Sequence, residues 1–213
     1  GAGIAVESTI GGGITNSGTI TGTESIDLQL ATGATTITQT GGLMQGILRL
    51  DQSGAEFNDT VNFDGGQLRG NIDGGGGDDI NVDGNFAYVN GTADQIDQVN
   101  INSGTAIFGS TAIGVDGVGV TFTNTNALTI ADGATAYLDD DTTIGLTNDL
   151  TVNSGATLAY YVTSNTATHG RINAGGNANL DGTLHAVIDG TSFASIGGDT
   201  FIYTNIITGA VSG

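Results

Sequence analysis

The chain has 213 residues, 38 of them glycine, and it contains no proline, cysteine or tryptophan. Its 22 acidic residues outnumber its three basic ones, and the formal net charge is −19 at pH 7. This charge disfavours binding to nucleic acid or anionic lipid, because neutralising phosphate needs basic side chains. No apolar run approaches the ~18 residues that a membrane helix needs, so we expect no membrane insertion of this segment.

A short motif recurs along the chain: an apolar residue, a polar residue, a third residue and then turn-forming residues. Eight copies occur, and they begin at Ile14, Ile37, Val61, Ile80, Val99, Leu128, Leu150 and Ile172. Successive copies are 23, 24, 19, 19, 29, 22 and 22 residues apart. A strand and a tight turn repeated every ~20–25 residues are typical of a solenoid, in which no repeat buries its apolar face alone.

The strand in each copy predicts which side chains point inward. In residues 128–130 and 150–152 the first and third positions are apolar, and alternate residues of a strand share a face. We therefore expect those positions to be buried and the threonine between them to face solvent. The Asp-Gly and Asn-Ser-Gly that follow suit a corner, and second strands are predicted at 134–138 and 156–160. Together these features predict an all-β, parallel β-helix.

Two segments depart from the regular repeat. The longest step between copies contains residues 109–119, which we predict to form a protruding loop or, alternatively, an irregular extra strand pair. After residue 180 the repeat fades, and residues 184–190 and 199–204 predict two longer strands that form a β-hairpin cap. A solenoid end needs a cap because its backbone groups are otherwise unpaired. We therefore expect a stem at 1–179 and a cap at 180–213 within one continuous domain.

One acidic, glycine-rich stretch is a candidate metal site. Asp73, Asp78 and Asp79 flank four glycines, which resembles a calcium-binding nonapeptide whose turns present oxygen atoms to a hard cation. The spacing differs from that repeat, because Ile80 follows Asp79 directly, and only one copy occurs. We therefore favour a plain acidic turn and expect no cofactor, with calcium as the alternative.

Other chemistry-bearing residues are few. The run 139–141 is three consecutive aspartates, which we interpret as a solvated turn rather than the paired carboxyl groups of a glycosidase. The two histidines, His169 and His185, have no nucleophile motif near them, and we expect structural or solvent-facing roles. Tyr160 and Tyr161 are expected to pack in the core and at the surface. We therefore predict no catalytic residues in this segment.

Several motifs together resemble the passenger repeats of bacterial autotransporters, which are type V secretion proteins. The resemblance covers nearly the whole chain and lies in residues 14–22, 41–46, 70–79, 169–172, 180–184, 198–201 and 207–209. It implies a right-handed β-helix, export across the outer membrane of a Gram-negative bacterium to the cell surface or medium, and a C-terminal autochaperone region that folds first. It also implies one partner, a C-terminal translocator barrel outside this chain.

Three classes of function remain open from the sequence. The first is a structural stalk and folding nucleus for a surface-exposed passenger, and this is the function we expect. The second is an adhesin or self-association module that attaches to another copy, another cell or a host surface. The third is an enzyme of the polysaccharide-degrading type. A related variant is that the chain is the stem of a larger passenger with an N-terminal protease domain.

Overall fold

The computed structural model describes residues 1–50, 57–190 and 202–212. No helix in these ranges is long and apolar enough to span a membrane. The described residues form strands only, as predicted: β1 (Ile4–Ala5), β2 (Ile14–Asn16), β3 (Thr19–Asp27), β4 (Thr36–Gln39), β5 (Leu43–Arg49), β6 (Thr60–Arg69), β7 (Ile72–Ile101), β8 (Thr105–Phe108), β9 (Val120–Thr125), β10 (Ala127–Ile130), β11 (Thr135–Leu138), β12 (Thr143–Leu146), β13 (Leu150–Val152), β14 (Thr157–Val162), β15 (Arg171–Leu180), β16 (Thr183–Ile188) and β17 (Ile207–Ser212).

The strand pairings found in these ranges are all parallel, and they place the chain in three stacks that we call sides A, B and C. Side A stacks Ile14, Ile37, Val61, Ile80, Val99, Leu128, Leu150, Ala178 and Val211. Side B stacks Ile20, Met44, Leu68, Tyr88, Phe108, Leu138, Tyr160 and Ala186. Side C stacks Ile4, Ile26, Leu48 and Ile72, and then Ala93, Phe122, Ile144, Ile172 and Ile207. This is a parallel β-helix.

The core lies between the three sides and follows the predicted alternation. Leu128, Ile130, Leu150 and Val152 are each at most 2% exposed, whereas the threonines between them are partly exposed. One apolar cluster of such inward side chains continues from Val6 to Ala178. The inward face was therefore predicted correctly, because strand periodicity alone decides which residues of a coil can reach its interior.

Outward side chains on side A form hydrogen-bonded ladders. The amide of Asn81 donates to Asn62 over 3.0 Å, and the amide of Asn100 donates to Asn81 over 3.1 Å. These residues are 19 apart, so each asparagine lies directly above its equivalent in the neighbouring coil. Stacked amides of this kind fix the register between coils, because each one donates to one neighbour and accepts from the other.

The sequence register was wrong for the eighth copy of the repeat. Ile172 does not follow Leu150 on side A but stacks on Ile144 on side C. The residue that stacks on Leu150 is Ala178. The error arose because the third strand of each coil was not recognised, and one of its members matches the side A pattern locally.

The C-terminal segment continues the coil. Of the two strands predicted for a hairpin cap, the first is present as β16 and pairs in parallel with β14. Residues 199–201 of the second lie outside the described residues, and residues 202–204 form no strand. The next strand, β17, pairs in parallel with β15. The described part of the cap is therefore made of further parallel strands, with no antiparallel pair among them.

Candidate functional site

An apolar stripe runs along the outer surface of side B, where a solenoid normally exposes polar residues. Ile107, Tyr137 and Ala159 stack on one another there and point outward. Tyr161 and Val187 extend the same cluster towards the C-terminus. Tyr137 is fully buried and Tyr161 is 4% exposed. Something must therefore cover this outer surface.

The cover is the segment 109–119, which connects β8 to β9 and forms a loop, as one of the two sequence interpretations predicted. This insertion loop folds back over side B instead of projecting freely. The backbone N–H of Gly114 donates to the hydroxyl of Tyr137 over 3.0 Å, and the N–H of Gly117 donates to Asp139 over 2.9 Å. Burial under the loop raises the pKa of the Tyr137 hydroxyl, and the nearby charge of Asp139 adds to this effect.

Three carboxyl groups meet where the insertion loop contacts the end of β11. Asp139 and Asp140 lie in the turn after β11, and Asp116 comes from the loop. One carboxylate oxygen from each residue lies within 4.8 Å of the other two. The predicted solvated turn is therefore wrong for two of its three residues: Asp139 is fully buried and Asp140 is 8% exposed, whereas Asp141 is exposed.

The two buried carboxyl groups of this acidic cluster are only partly satisfied. The Oδ2 of Asp139 accepts from Gly117, and the Oδ2 of Asp140 accepts from Thr168 over 3.5 Å. The Oδ1 atoms of Asp139 and Asp140 are buried and have no hydrogen-bond partner. Burial, together with the charge of Asp140, raises the pKa of Asp139 to about 7. Burial and the charge of Asp116 also raise the pKa of Asp140.

This geometry suits the holding of a cation or a shared proton. A catalytic pair in a glycosidase must reach a substrate from two sides of the bond that it cleaves. Asp139 has no exposed surface, and the insertion loop lies across it. The cluster therefore has the charge of an acid–base site without the access.

The three residues of the sequence-predicted calcium site have different interaction partners. Asp73 pairs with Arg49 over 3.5 Å on side C. Asp78 is buried and accepts hydrogen bonds from the backbone N–H groups of Asp59 and Gly75, both over 2.8 Å. Burial raises the pKa of Asp78 to about 6, which these two bonds partly oppose. Asp78 is therefore held by two backbone N–H groups, and it lies buried within β7 rather than in the plain acidic turn that the sequence predicted.

Asp79 of the same predicted site is buried at one carboxylate oxygen, Oδ1, which has no hydrogen-bond partner. Burial, followed by the charge of Asp97, raises its pKa. Among the described residues, the fold brings three carboxyl groups within ion-binding distance at Asp116, Asp139 and Asp140, and none of the predicted three is among them. Sequence reasoning considered Asp139 and Asp140 but placed them in a solvated turn, and it did not include Asp116.

The two histidines differ in their surroundings. His169 is 6% exposed, and its Nε2 lies 2.9 Å from the carbonyl oxygen of Thr204. Its ring meets the ring of Tyr203 edge-on, with the two ring centroids 5.9 Å apart. The hydroxyl of Tyr203 in turn donates to the carbonyl of Thr163. His169 therefore fastens the C-terminal segment to the coil. His185 is exposed on β16.

A groove of about 580 Å³ lies beside the insertion loop. Ala87 and Ile107 of side B form its base, and Ile113 from the loop lines one wall. Its size falls within the range of small-ligand sites, which are mostly apolar with a few polar groups. The groove and the acidic cluster share the insertion loop as a common wall.

No protein-family model, curated protein or solved structure matches this chain.

Proposed function

We propose that this chain is the structural stalk and folding nucleus of a surface-exposed autotransporter passenger, and that it supports secretion and display of that passenger. The observation that carries the proposal is the apolar core, which continues from Val6 to Ala178 through the stacked coils. Such a stack forms a rod whose length grows with each coil, since neighbouring strands are ~4.8 Å apart. A rod of this kind holds an attached domain away from a surface.

The composition agrees with export of an unfolded chain. The chain has no cysteine to form crosslinks and no proline whose isomerisation would delay folding. Each coil then gains its stability from the coil before it, so folding can proceed one repeat at a time as the chain emerges. The net charge of −19 keeps the emerging chain soluble through self-repulsion.

Display of this chain on the surface of a Gram-negative cell tests the proposed stalk function. The chain would be joined to a translocator barrel, and surface exposure would be measured by antibody binding and by protease digestion of intact cells. Leu150→Asp places a charge in the core and should reduce display strongly, whereas the matched change Thr151→Asp alters a partly exposed neighbour and should leave it intact. Failure of the unmodified chain to reach the surface, or equal display of both variants, would contradict the proposal.

The nucleating role of the C-terminal region has its own test. The contacts of His169 with Tyr203 and Thr204 tie residues 202–206 to the coil, which supports a part for this region in starting the stack. Deleting residues 180–213 should then impair folding of the remainder more than deleting residues 1–36, as judged by circular dichroism and refolding yield. A well-folded C-terminal truncation would leave only a passive rod.

A second candidate is an adhesin or self-association module, and the groove beside the insertion loop favours it. Ile113, which lines the groove, and Val115 on the same loop are 47% and 46% exposed, so both present apolar surface to solvent. Sedimentation at rising protein concentration separates the two functions. A stalk stays monomeric, whereas a self-association module forms oligomers, and Val115→Asp should return these to monomers.

A further inference from the structure

We infer that Asp116, Asp139 and Asp140 form a calcium site that fastens the insertion loop to side B. This site is distinct from the calcium candidate in the sequence, which lies at residues 73–79. Two of the three ligands come from the turn after β11 and the third from the loop, so a bound ion would join segments that are 23 residues apart in the chain. The ion would lock the loop over Tyr137.

The distances between the carboxylate oxygens fit calcium. One oxygen from each residue lies within 4.8 Å of the others. Two oxygens bound to one Ca²⁺, at 2.3–2.6 Å each, are at most about 5 Å apart. Ca²⁺ tolerates irregular sets of six to eight oxygen ligands, whereas Mg²⁺ requires near-ideal octahedral geometry and usually keeps several waters. A site with three protein carboxylates therefore suits the larger ion better.

The buried oxygens provide a second, independent reason. Asp139 and Asp140 are at least nine-tenths buried, and each has an Oδ1 atom with no hydrogen-bond partner. A buried carboxylate oxygen without a partner is costly unless a charge or a donor satisfies it. Arg49 pairs with Glu24 and Asp73. Among the described residues no ion pair to Asp116, Asp139 or Asp140 is found, so a cation would supply the missing positive charge.

The remaining coordination positions have suitable groups nearby. Ca²⁺ takes six to eight oxygen ligands and accepts hydroxyl groups and water beside carboxylates. The hydroxyl of Thr168 lies 3.5 Å from Asp140.

Calorimetric titration of the metal-free protein with CaCl₂, together with thermal unfolding, tests the site. We expect a single binding event and a rise in Tm of about 5 to 10 °C at about a hundred times the Kd. Asp116→Asn removes the exposed loop ligand with little risk to the fold and should weaken binding about tenfold or more. Asp141→Asn removes the same charge from an exposed neighbour that supplies no ligand atom and should weaken binding far less.

A second variant separates calcium from a proton as the occupant. Asp139→Asn resembles the protonated residue, so in chelator at neutral pH it should equal or exceed the wild-type Tm, and calcium should no longer raise it. If calcium does not raise the Tm of the wild type, or if D116N and D141N lose affinity equally, the proposed calcium site is wrong. The carboxyl groups would then be held together by a shared proton.

Discussion

Strands β14 and β16 are neighbours on side B and begin with the same two residues, yet only one of them is buried. Leu158 in β14 is 1% exposed, whereas Leu184, which stacks directly on it in β16, is 57% exposed. β14 pairs with β11 on one side and β16 on the other, whereas the described pairings of β16 include β14 alone. In a solenoid, therefore, neighbouring coils rather than local sequence decide burial.

The largest effect is expected when a charge is placed at the two equivalent positions, 158 and 184. Leu158→Asp should lower the free energy of unfolding by about 4 kcal/mol or more, because it buries an unpaired carboxylate. Leu184→Asp should cost about 1 kcal/mol or less, because its side chain stays in water. Urea unfolding measures both. Similar losses would mean that another surface covers β16 in solution.

A second test asks whether neighbouring coils also constrain the backbone. Gly42 has φ of +70°, and a Cβ there would collide with the carbonyl oxygen of Gly18 in the adjacent coil. Gly133 has φ of +77° but open space around its missing Cβ. Gly42→Ala should therefore cost about 3 kcal/mol, from strain and overpacking together. Gly133→Ala should cost about 1 kcal/mol, from strain alone, and equal costs would exclude an effect of stacking.

The third test uses pH and the buried carboxyl group of Asp139. Its pKa is about 7 in the folded protein and close to 4 when unfolded, so the folded state binds its proton more tightly between about pH 4 and 7. Stability from this group is therefore full at low pH and falls as pH rises through about 7. Asp78 acts in the same direction. With chelator present, Tm should fall with rising pH by a few degrees less in Asp139→Asn than in the wild type. An unchanged pH profile would show that Asp139 is ionised throughout.

The smallest effect is expected in the polar ladders. Asn81 donates to one asparagine and accepts from another, whereas Asn179 near the C-terminal end accepts from Ser212 over 2.5 Å. Asn81→Ala should cost about 1 kcal/mol, and Asn179→Ala about half of that, because fewer bonds are lost between solvated groups. Chemical denaturation with several replicates can resolve this difference. The reverse order would show that the end of the stack is more rigid than its middle.

The sequence predicted the strands of side A because their apolar positions alternate clearly and are followed by glycine or asparagine. Side C was not recognised as a separate stack. Its strands include Ile72-Asp73, where only two residues pair, and such short segments carry too little periodicity to identify. Ile172 was assigned to side A for this reason.

The acidic cluster was hidden for a different physical reason. Consecutive aspartates in a turn are usually solvated, and only the return of the insertion loop over side B buries Asp139 and Asp140. Two signals in the sequence point to this arrangement after the fact. Tyr137 and Ile107 are large apolar residues at outward positions, so they need a cover, and the longest insertion lies between them in the chain.

The unequal spacing along side A also determines how the molecule would respond to tension. Equivalent positions are 19 residues apart between Ile80 and Val99 but 29 apart between Val99 and Leu128, where the insertion loop lies. Each coil is fastened mainly to its neighbours, so a pulling force detaches one coil at a time. A detached coil yields roughly 65 to 100 Å of extended chain, at ~3.4 Å per residue. Such a rod absorbs mechanical work in discrete steps and gives its longest step at the coil that carries the loop.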